Sequence, residues 1–127
     1  MPSTPKKVLI VEDNESIRQM YQTKLTTEGF TVKTAGDAET GYETAKIFQP
    51  DVILLDIMMP NVTGIDFMTY LRRFKENDHI KIIVLTNLDD PALRHSLQAV
   101  ISDYIVKAET TPGEIADKIR KLVGEPA

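Results

Sequence analysis

Residues 51–60 read DVILLDIMMP, and a run of apolar side chains separates the two aspartates of this stretch. The run, residues 52–55, does not alternate with polar residues. Such a pattern is typical of a strand that is covered on both faces, as in a parallel sheet flanked by helices. We therefore predict a central strand here, with Asp56 at the point where the chain leaves the core.

Other apolar runs also lead directly into polar residues. They are residues 8–11 before Glu12 and Asp13, residues 82–85 before Thr86, and residues 104–106 before Lys107. The carboxyl ends of parallel strands lie at one edge of the sheet, where open α/β sheets bind ligands. We expect these polar residues to form a site together with Asp56.

Segments with apolar residues at helical spacing alternate with the predicted strands along the chain. Five strands and five helices in alternation predict a (βα)5 chain, and right-handed crossovers then give a flavodoxin-like three-layer sandwich around a parallel sheet. The expected strand order is 2-1-3-4-5, which places the first and third strands side by side. We expect residues 1–127 to form a single domain with a core from about residue 6 to residue 124.

The third and fourth helices follow the third and fourth strands. The third is predicted to run from Gly64 to about Glu76, with Phe74 among the residues that face the core. The fourth is predicted to begin after Asp90, a candidate N-cap followed by proline, and to carry Val100 on its apolar face.

Composition excludes several classes of protein. The chain has no cysteine, so no disulfide or thiol chemistry is expected, and a cytoplasmic location is the default. No apolar run is long enough for a membrane span, and the N-terminus lacks the apolar region of a signal peptide. The net charge of −4 argues against direct binding to nucleic acid.

Carboxylates dominate the predicted site. Glu12, Asp13 and Asp56 repel one another, at roughly 4 kcal/mol for each close pair in a medium of intermediate dielectric constant. Lys107 neutralises only part of this charge. An all-oxygen set of ligands selects a hard cation such as Mg²⁺, whose shell phosphate oxygens can complete. Asp56 is then a candidate nucleophile for an acyl phosphate, and Thr86 offers a hydroxyl to a phosphoryl oxygen.

Four motifs, VLIVEDN, PDVILLDIMMPNVTG, IIVLT and DYIVK, occur in this order. In this combination and spacing the chain resembles the receiver domain of two-component response regulators over nearly its whole length. The resemblance implies that Asp56 accepts a phosphoryl group from a phosphohistidine. It implies that Glu12, Asp13, Asp56 and the backbone carbonyl of Met58 bind Mg²⁺, and that Lys107 contacts the phosphoryl group.

The resemblance also implies partners and a switch. The phosphoryl donor would be a sensor histidine kinase or a histidine phosphotransfer protein of a phosphorelay. Thr86 and Tyr104 would form the switch pair, and Pro60 and Gly64 match the loop of the family. Such a domain is not a conventional enzyme, although it catalyses its own Mg²⁺-dependent phosphorylation and dephosphorylation.

The sequence departs from the family pattern in three ways. Ala108 replaces the proline that usually follows the lysine, so we expect a trans Lys107–Ala108 peptide bond and a shifted loop. Asn87 replaces the usual alanine, which bears on the rate of phosphate turnover. Val100 and Ile101 add apolar residues to the expected output surface of the fourth helix, fifth strand and fifth helix, where a protein partner or a phosphorylation-dependent homodimer would bind.

Two other functions require residues that this sequence lacks. A flavodoxin-like ligand-binding module without phosphotransfer would need a phosphate loop after the first strand, but the sequence there is the acidic EDNES. A magnesium-dependent phosphatase with an aspartyl nucleophile would need a second acid two residues after Asp56, and Met58 occupies that position.

Overall fold

A computed structural model describes residues 5–58 and 64–124 of the chain. Its strands form one parallel sheet in the order β2-β1-β3-β4-β5, which confirms the predicted order and the flavodoxin-like fold. The strands are β1 (Lys7–Val11), β2 (Thr31–Ala35), β3 (Val52–Leu55), β4 (Lys81–Thr86) and β5 (Asp103–Val106). The α-helices are α1 (Glu15–Thr27), α2 (Ala38–Phe48), α3 (Gly64–Leu71), α4 (Pro91–Leu97) and α5 (Pro112–Val123).

The sheet has an apolar core on each face. Successive residues of a strand point to opposite faces, so Leu9 and Val11 belong to one core and Val8 and Ile10 to the other. Helices α2, α3 and α4 cover the first core, and α1 and α5 cover the second. The three-layer sandwich is therefore as predicted, and the buried run of β3 lies in its centre.

The third helix is shorter than the sequence predicted. It ends at Leu71, and Phe74 is 39% exposed, so the prediction that Phe74 faces the core is wrong. The side-chain amide of Asn77 donates to the carbonyl of Leu71 at 3.0 Å, and the Arg72 guanidinium donates to the carbonyls of Asn77 and Ile80 at 2.7 Å each. These hydrogen bonds satisfy free carbonyl groups at the turn and end the helix early.

The fourth helix also ends early. It stops at Leu97, and Val100 is 45% exposed instead of packing on the helix face, so the prediction for Val100 is wrong. Its start is as predicted, because the Asp90 carboxylate accepts hydrogen bonds from the amides of Ala92 and Leu93. The backbone amides of Val100 and Ile101 both donate to the carbonyl of Leu97, which forms the turn that leads to β5.

The loop after β5 begins with a 3-10 turn at Lys107–Glu109. No cis peptide bond occurs in residues 5–58 and 64–124, so the Lys107–Ala108 bond is trans, as predicted. No helix in these two segments is both long and apolar enough to span a membrane.

Candidate functional site

Strand register places two of the predicted acids next to each other. Val11 of β1 pairs with Leu55 of β3, and Glu12 and Asp56 follow these residues directly. The amide of Asp56 donates to the carbonyl of Val11 at 3.0 Å. Because β1 and β3 are adjacent and parallel, both carboxylates emerge at the carboxyl edge of the sheet, as the sequence predicted.

A three-carboxylate cluster forms at this edge. One oxygen each from Glu12, Asp13 and Asp56 lies within 4.8 Å of the others. Glu12 is 3% exposed and Asp56 is 7% exposed, whereas Asp13 faces solvent. Two of the three acids therefore have little water to screen their repulsion.

Lys107 reaches this cluster from the end of β5. Its Nζ atom donates to Oε1 of Glu12 and, at 3.1 Å, to Oδ2 of Asp56. Burial opposes the charged form of Lys107, but the hydrogen bond to Glu12 and the charge of Asp56 outweigh burial and raise the pKa of the ammonium group. The lysine is thus held charged between two acids.

The environment of Glu12 disfavours the charged form of its carboxyl group. Burial, together with the neighbouring Asp56, raises the pKa of Glu12 from 4.5 to about 7, although Lys107 acts in the opposite direction. Its second oxygen, Oε2, is buried and has no hydrogen-bond partner among the described residues. One lysine therefore does not satisfy the cluster. The all-oxygen donor set and the surplus negative charge fit a hard divalent cation such as Mg²⁺.

Asp56 is oriented by contacts at both of its oxygens. The amide of Met58 donates to Oδ1 at 2.9 Å, and Lys107 contacts Oδ2. The predicted metal ligand at Met58, its backbone carbonyl, belongs to the same turn. Pro60 lies outside the described residues. Gly64 packs so closely that a Cβ atom there would lie 2.5 Å from the Cα of Ile57 and 2.9 Å from the carbonyl oxygen of Asp56.

The proposed switch residues, Thr86 and Tyr104, are both buried. The amide of Leu88 donates to Oγ1 of Thr86 at 3.2 Å, and the Tyr104 hydroxyl donates to the carbonyl of Leu88. The backbone of Leu88 therefore connects the two side chains. The Arg94 guanidinium lies 4.9 Å from the centre of the Tyr104 ring, on the side of α4.

Sequence reasoning missed Arg18 and Leu88 in this region. Arg18, on α1, donates to the backbone carbonyl of Glu12 at 2.9 Å. Leu88 acts only through its backbone amide and carbonyl. Neither contact leaves a pattern in the sequence, because a backbone hydrogen bond places little demand on the residue type that provides the backbone.

The sequence model described as the response regulator receiver domain matches residues 8–120. The chain belongs to this family. Receiver domains are signalling domains rather than conventional enzymes, and they bind Mg²⁺ at an acidic cluster, which is formed here by Glu12, Asp13 and Asp56. As a family, response regulators interact with histidine kinases and with output partners.

Known proteins resemble this receiver domain in sequence and in structure. The "Probable transcriptional regulator ycf27" of Cyanophora paradoxa is 39% identical over 124 residues, which are 97% of this chain and 50% of the relative. The "Transcriptional regulatory protein AfsQ1" of Streptomyces coelicolor is 37% identical over 108 residues, 84% of this chain and 45% of the relative. The structure of the chemotaxis response regulator CheY4 of Vibrio cholerae is 33% identical, with a TM-score of 0.83 over 94% of this chain and 99% of that one.

The receiver domain spans about half the length of the curated relatives it matches. The relatives from Cyanophora paradoxa and Streptomyces coelicolor are both named as transcriptional regulators. The expectation that nucleic acid is not bound directly, which rested on net charge, therefore concerns only these 127 residues. That residues 1–127 form a single domain stays a prediction.

Proposed function

We propose that this receiver domain accepts a phosphoryl group on Asp56 from a phosphohistidine of a sensor kinase or a histidine phosphotransfer protein. The observation that carries the proposal is the placement of Asp56. Its carboxylate lies at the carboxyl end of β3, is oriented by the Met58 amide and Lys107, and stands beside Glu12 and Asp13. Pre-oriented groups of this kind lower the cost of reaching an in-line geometry.

In the transfer step, an Asp56 carboxylate oxygen attacks phosphorus while the bond between phosphorus and the donor imidazole nitrogen breaks. The imidazole leaves with the electron pair of that bond. A proton on its other ring nitrogen makes the leaving group a neutral imidazole. Lys107 then contacts the phosphoryl oxygens. Thr86 accepts a hydrogen bond from Leu88 but keeps its own hydroxyl proton, which it can donate to a phosphoryl oxygen.

Magnesium is the proposed cofactor. Glu12, Asp13, Asp56 and the backbone carbonyl of Met58 would hold it. When bound, it neutralises charge on the phosphoryl oxygens. The support for this assignment is the oxygen-only donor set and the charge that Lys107 leaves uncompensated.

The proposed output surface consists of α4, β5 and α5. Tyr104 of β5 and Arg94 of α4 belong to this face, and the backbone of Leu88 connects Tyr104 to Thr86 of the site. Val100 is exposed there, but Ile101 is half-buried and packs against the core, so Val100 is the better candidate for an apolar contact. A partner protein or a second phosphorylated copy of the domain would bind this surface. A cytoplasmic location is part of the same proposal, since the donors of two-component systems present their phosphohistidine there.

Two basic residues of α5, Lys118 and Arg120, already have acidic partners. Arg120 pairs with Glu28 at 3.0 Å and also with Asp117, and Lys118 pairs with Asp103 at 3.2 Å. Arg120 therefore ties α5 to the end of α1 and is not available as a free rim charge. Family membership favours this function over the flavodoxin-like ligand-binding module and the phosphatase.

The test is intact-mass measurement after incubation with Mg²⁺ and a small phosphodonor such as acetyl phosphate. The wild type should gain the mass of one phosphoryl group, and Asp56→Asn should gain none. Asp13→Ala should react slowly because it binds Mg²⁺ weakly. A wild type that never gains mass under these conditions contradicts the proposal.

A further inference from the structure

Arg18 of α1 contacts the backbone of the metal-binding loop, residues 12 and 13, which connects β1 to α1. Its Nη1 atom donates to the carbonyl oxygen of Glu12 at 2.9 Å and lies 3.5 Å from that of Asp13. Its own amide donates to the carbonyl of Asn14, in the first turn of α1. Arg18 forms no salt bridge within the described segments, 5–58 and 64–124. Its charge is therefore directed at backbone oxygens.

Gly36, in the turn between β2 and α2, lies on another side of the same guanidinium. A Cβ atom added at Gly36 would lie 3.1 Å from Nη1 of Arg18, which is closer than ordinary van der Waals contact. The neighbouring Ala35 carbonyl accepts from the amide of Glu12 at 3.0 Å. The backbone of Glu12 is thus held at its amide by β2 and at its carbonyl by Arg18.

We propose that Arg18 is a positioning residue for the metal-binding loop and that Gly36 leaves room for it. This inference rests on the proposed function, because it concerns how Glu12 and Asp13 are presented to Mg²⁺. The carboxylates of these residues repel each other and Asp56, and a loosely held loop would let them move apart. A backbone fixed at the carbonyls of both residues keeps the carboxylates near one another before the ion arrives.

The charge of Arg18 acts in the opposite sense, since a guanidinium near the site repels a cation. The two effects can be separated by ionic strength. Repulsion through solvent weakens as salt is added, whereas orientation by direct hydrogen bonds does not depend on screening. If positioning dominates, the loss of Arg18 weakens Mg²⁺ binding at both low and high salt.

The first measurement is calorimetric titration of Mg²⁺ into metal-free wild type, Arg18→Met and Arg18→Lys at two salt concentrations. We expect roughly tenfold weaker binding by Arg18→Met, the scale typical of lost contacts to metal ligands. Arg18→Lys keeps the charge and one donor group, so its affinity should be intermediate. Arg73→Met, which removes an exposed arginine near Tyr70, is the matched control and should bind like the wild type.

Urea unfolding of the metal-free variants measures how much Arg18 contributes to the stability of the fold, separately from its effect on Mg²⁺ affinity. Substituting a residue that only stabilises the fold lowers the free energy of unfolding without changing the Mg²⁺ affinity of the folded protein. Arg18→Met should change the affinity at concentrations of urea where the protein remains fully folded. An Arg18→Met protein that binds Mg²⁺ as tightly as wild type, or more tightly, overturns the inference.

A double-mutant cycle with Gly36→Ala tests the mechanism without altering Arg18 directly. The added methyl group should displace the guanidinium and weaken Mg²⁺ binding in the wild-type background. In the Arg18→Met background the same substitution should have no effect, because there is no guanidinium to displace. If Gly36→Ala weakens Mg²⁺ binding equally in both backgrounds, the inference is contradicted. Wild type that binds no Mg²⁺ contradicts the proposed function itself, and the two failures are distinguishable.

Discussion

The Nζ atom of Lys107 lies 3.1 Å from Oδ2 of Asp56, although their strands, β5 and β3, are separated in the sheet by β4. The long side chain crosses the carboxyl end of β4 and also pairs with Glu12. In the metal-free state a single cation therefore serves two buried acids, and Asp13 adds a third charge nearby. Removing an acid and removing the lysine should therefore have opposite effects on the stability of the metal-free protein.

Asp56→Asn should make the metal-free protein at least as stable as wild type at neutral pH. The amide removes one charge from the cluster, and Lys107 keeps Glu12 as a partner. We expect a gain between zero and about 2 kcal/mol in the free energy of unfolding, measured with urea in the presence of a chelator.

Lys107→Met is the opposing control for that experiment. It leaves the acids without their cation, and a loss of about 3 kcal/mol is expected. A clear loss of stability in Asp56→Asn would show that repulsion does not dominate this site.

The raised pKa of Glu12 predicts a specific dependence of stability on pH. Folded protein keeps the Glu12 proton up to about pH 7, whereas the unfolded chain releases it near 4.5. Between these values the folded state binds more protons, so this residue lowers the free energy of unfolding as pH rises. Glu12→Gln has no such proton, and its stability relative to metal-free wild type should increase from about pH 4.5 to about pH 7.

The comparison uses urea unfolding of both proteins with a chelator at each pH. Taking the difference between them cancels the titration of the other carboxylates, including Glu28, whose pKa the Arg120 guanidinium lowers. A difference that stays flat or decreases over this range would contradict the environment assigned to Glu12.

The sequence predicted the features that depend on hydrophobic pattern and missed those that depend on hydrogen bonds to the backbone. Uninterrupted apolar runs predicted the buried strands, and the polar residues after them predicted which side chains meet at one edge, including Glu12, Asp56 and Lys107. The early end of α3 was missed because Arg72 and Asn77 end it through hydrogen bonds to backbone carbonyls. Such bonds depend on the course of the folded chain and not on periodicity.

Gly64→Ala should damage both stability and phosphorylation. The added methyl group would overlap the backbone of Ile57 and press on the carbonyl of Asp56, so the turn after β3 or the start of α3 must shift. We expect a loss of about 1–3 kcal/mol in the free energy of unfolding. Gly113→Ala is the control, because an added Cβ there has no neighbour closer than 3.9 Å. If Gly64→Ala is as stable as wild type, the backbone can move away from the added Cβ atom without a loss of stability, and the prediction is wrong.

Val100→Glu should weaken a phosphorylation-dependent association without unfolding the domain. Val100 is exposed, so its replacement removes an apolar contact without opening the core, whereas Ile101→Glu would also disturb packing. Association with a partner, or self-association, is measured by sedimentation with and without beryllofluoride as the phosphoryl mimic. If the mimic strengthens association equally in Val100→Glu and wild type, the interface lies elsewhere.

The acyl phosphate is expected on Asp56 and on neither Glu12 nor Asp13. Reductive trapping tests this expectation most directly, since borohydride converts an aspartyl phosphate to homoserine and a glutamyl phosphate to a different alcohol. The phosphorylated protein is reduced, digested and sequenced by mass spectrometry, with a chelator-treated sample as control. We expect homoserine at position 56, and only when Mg²⁺ is present. A reduced residue at position 12 or 13, or trapping that does not require Mg²⁺, would contradict it.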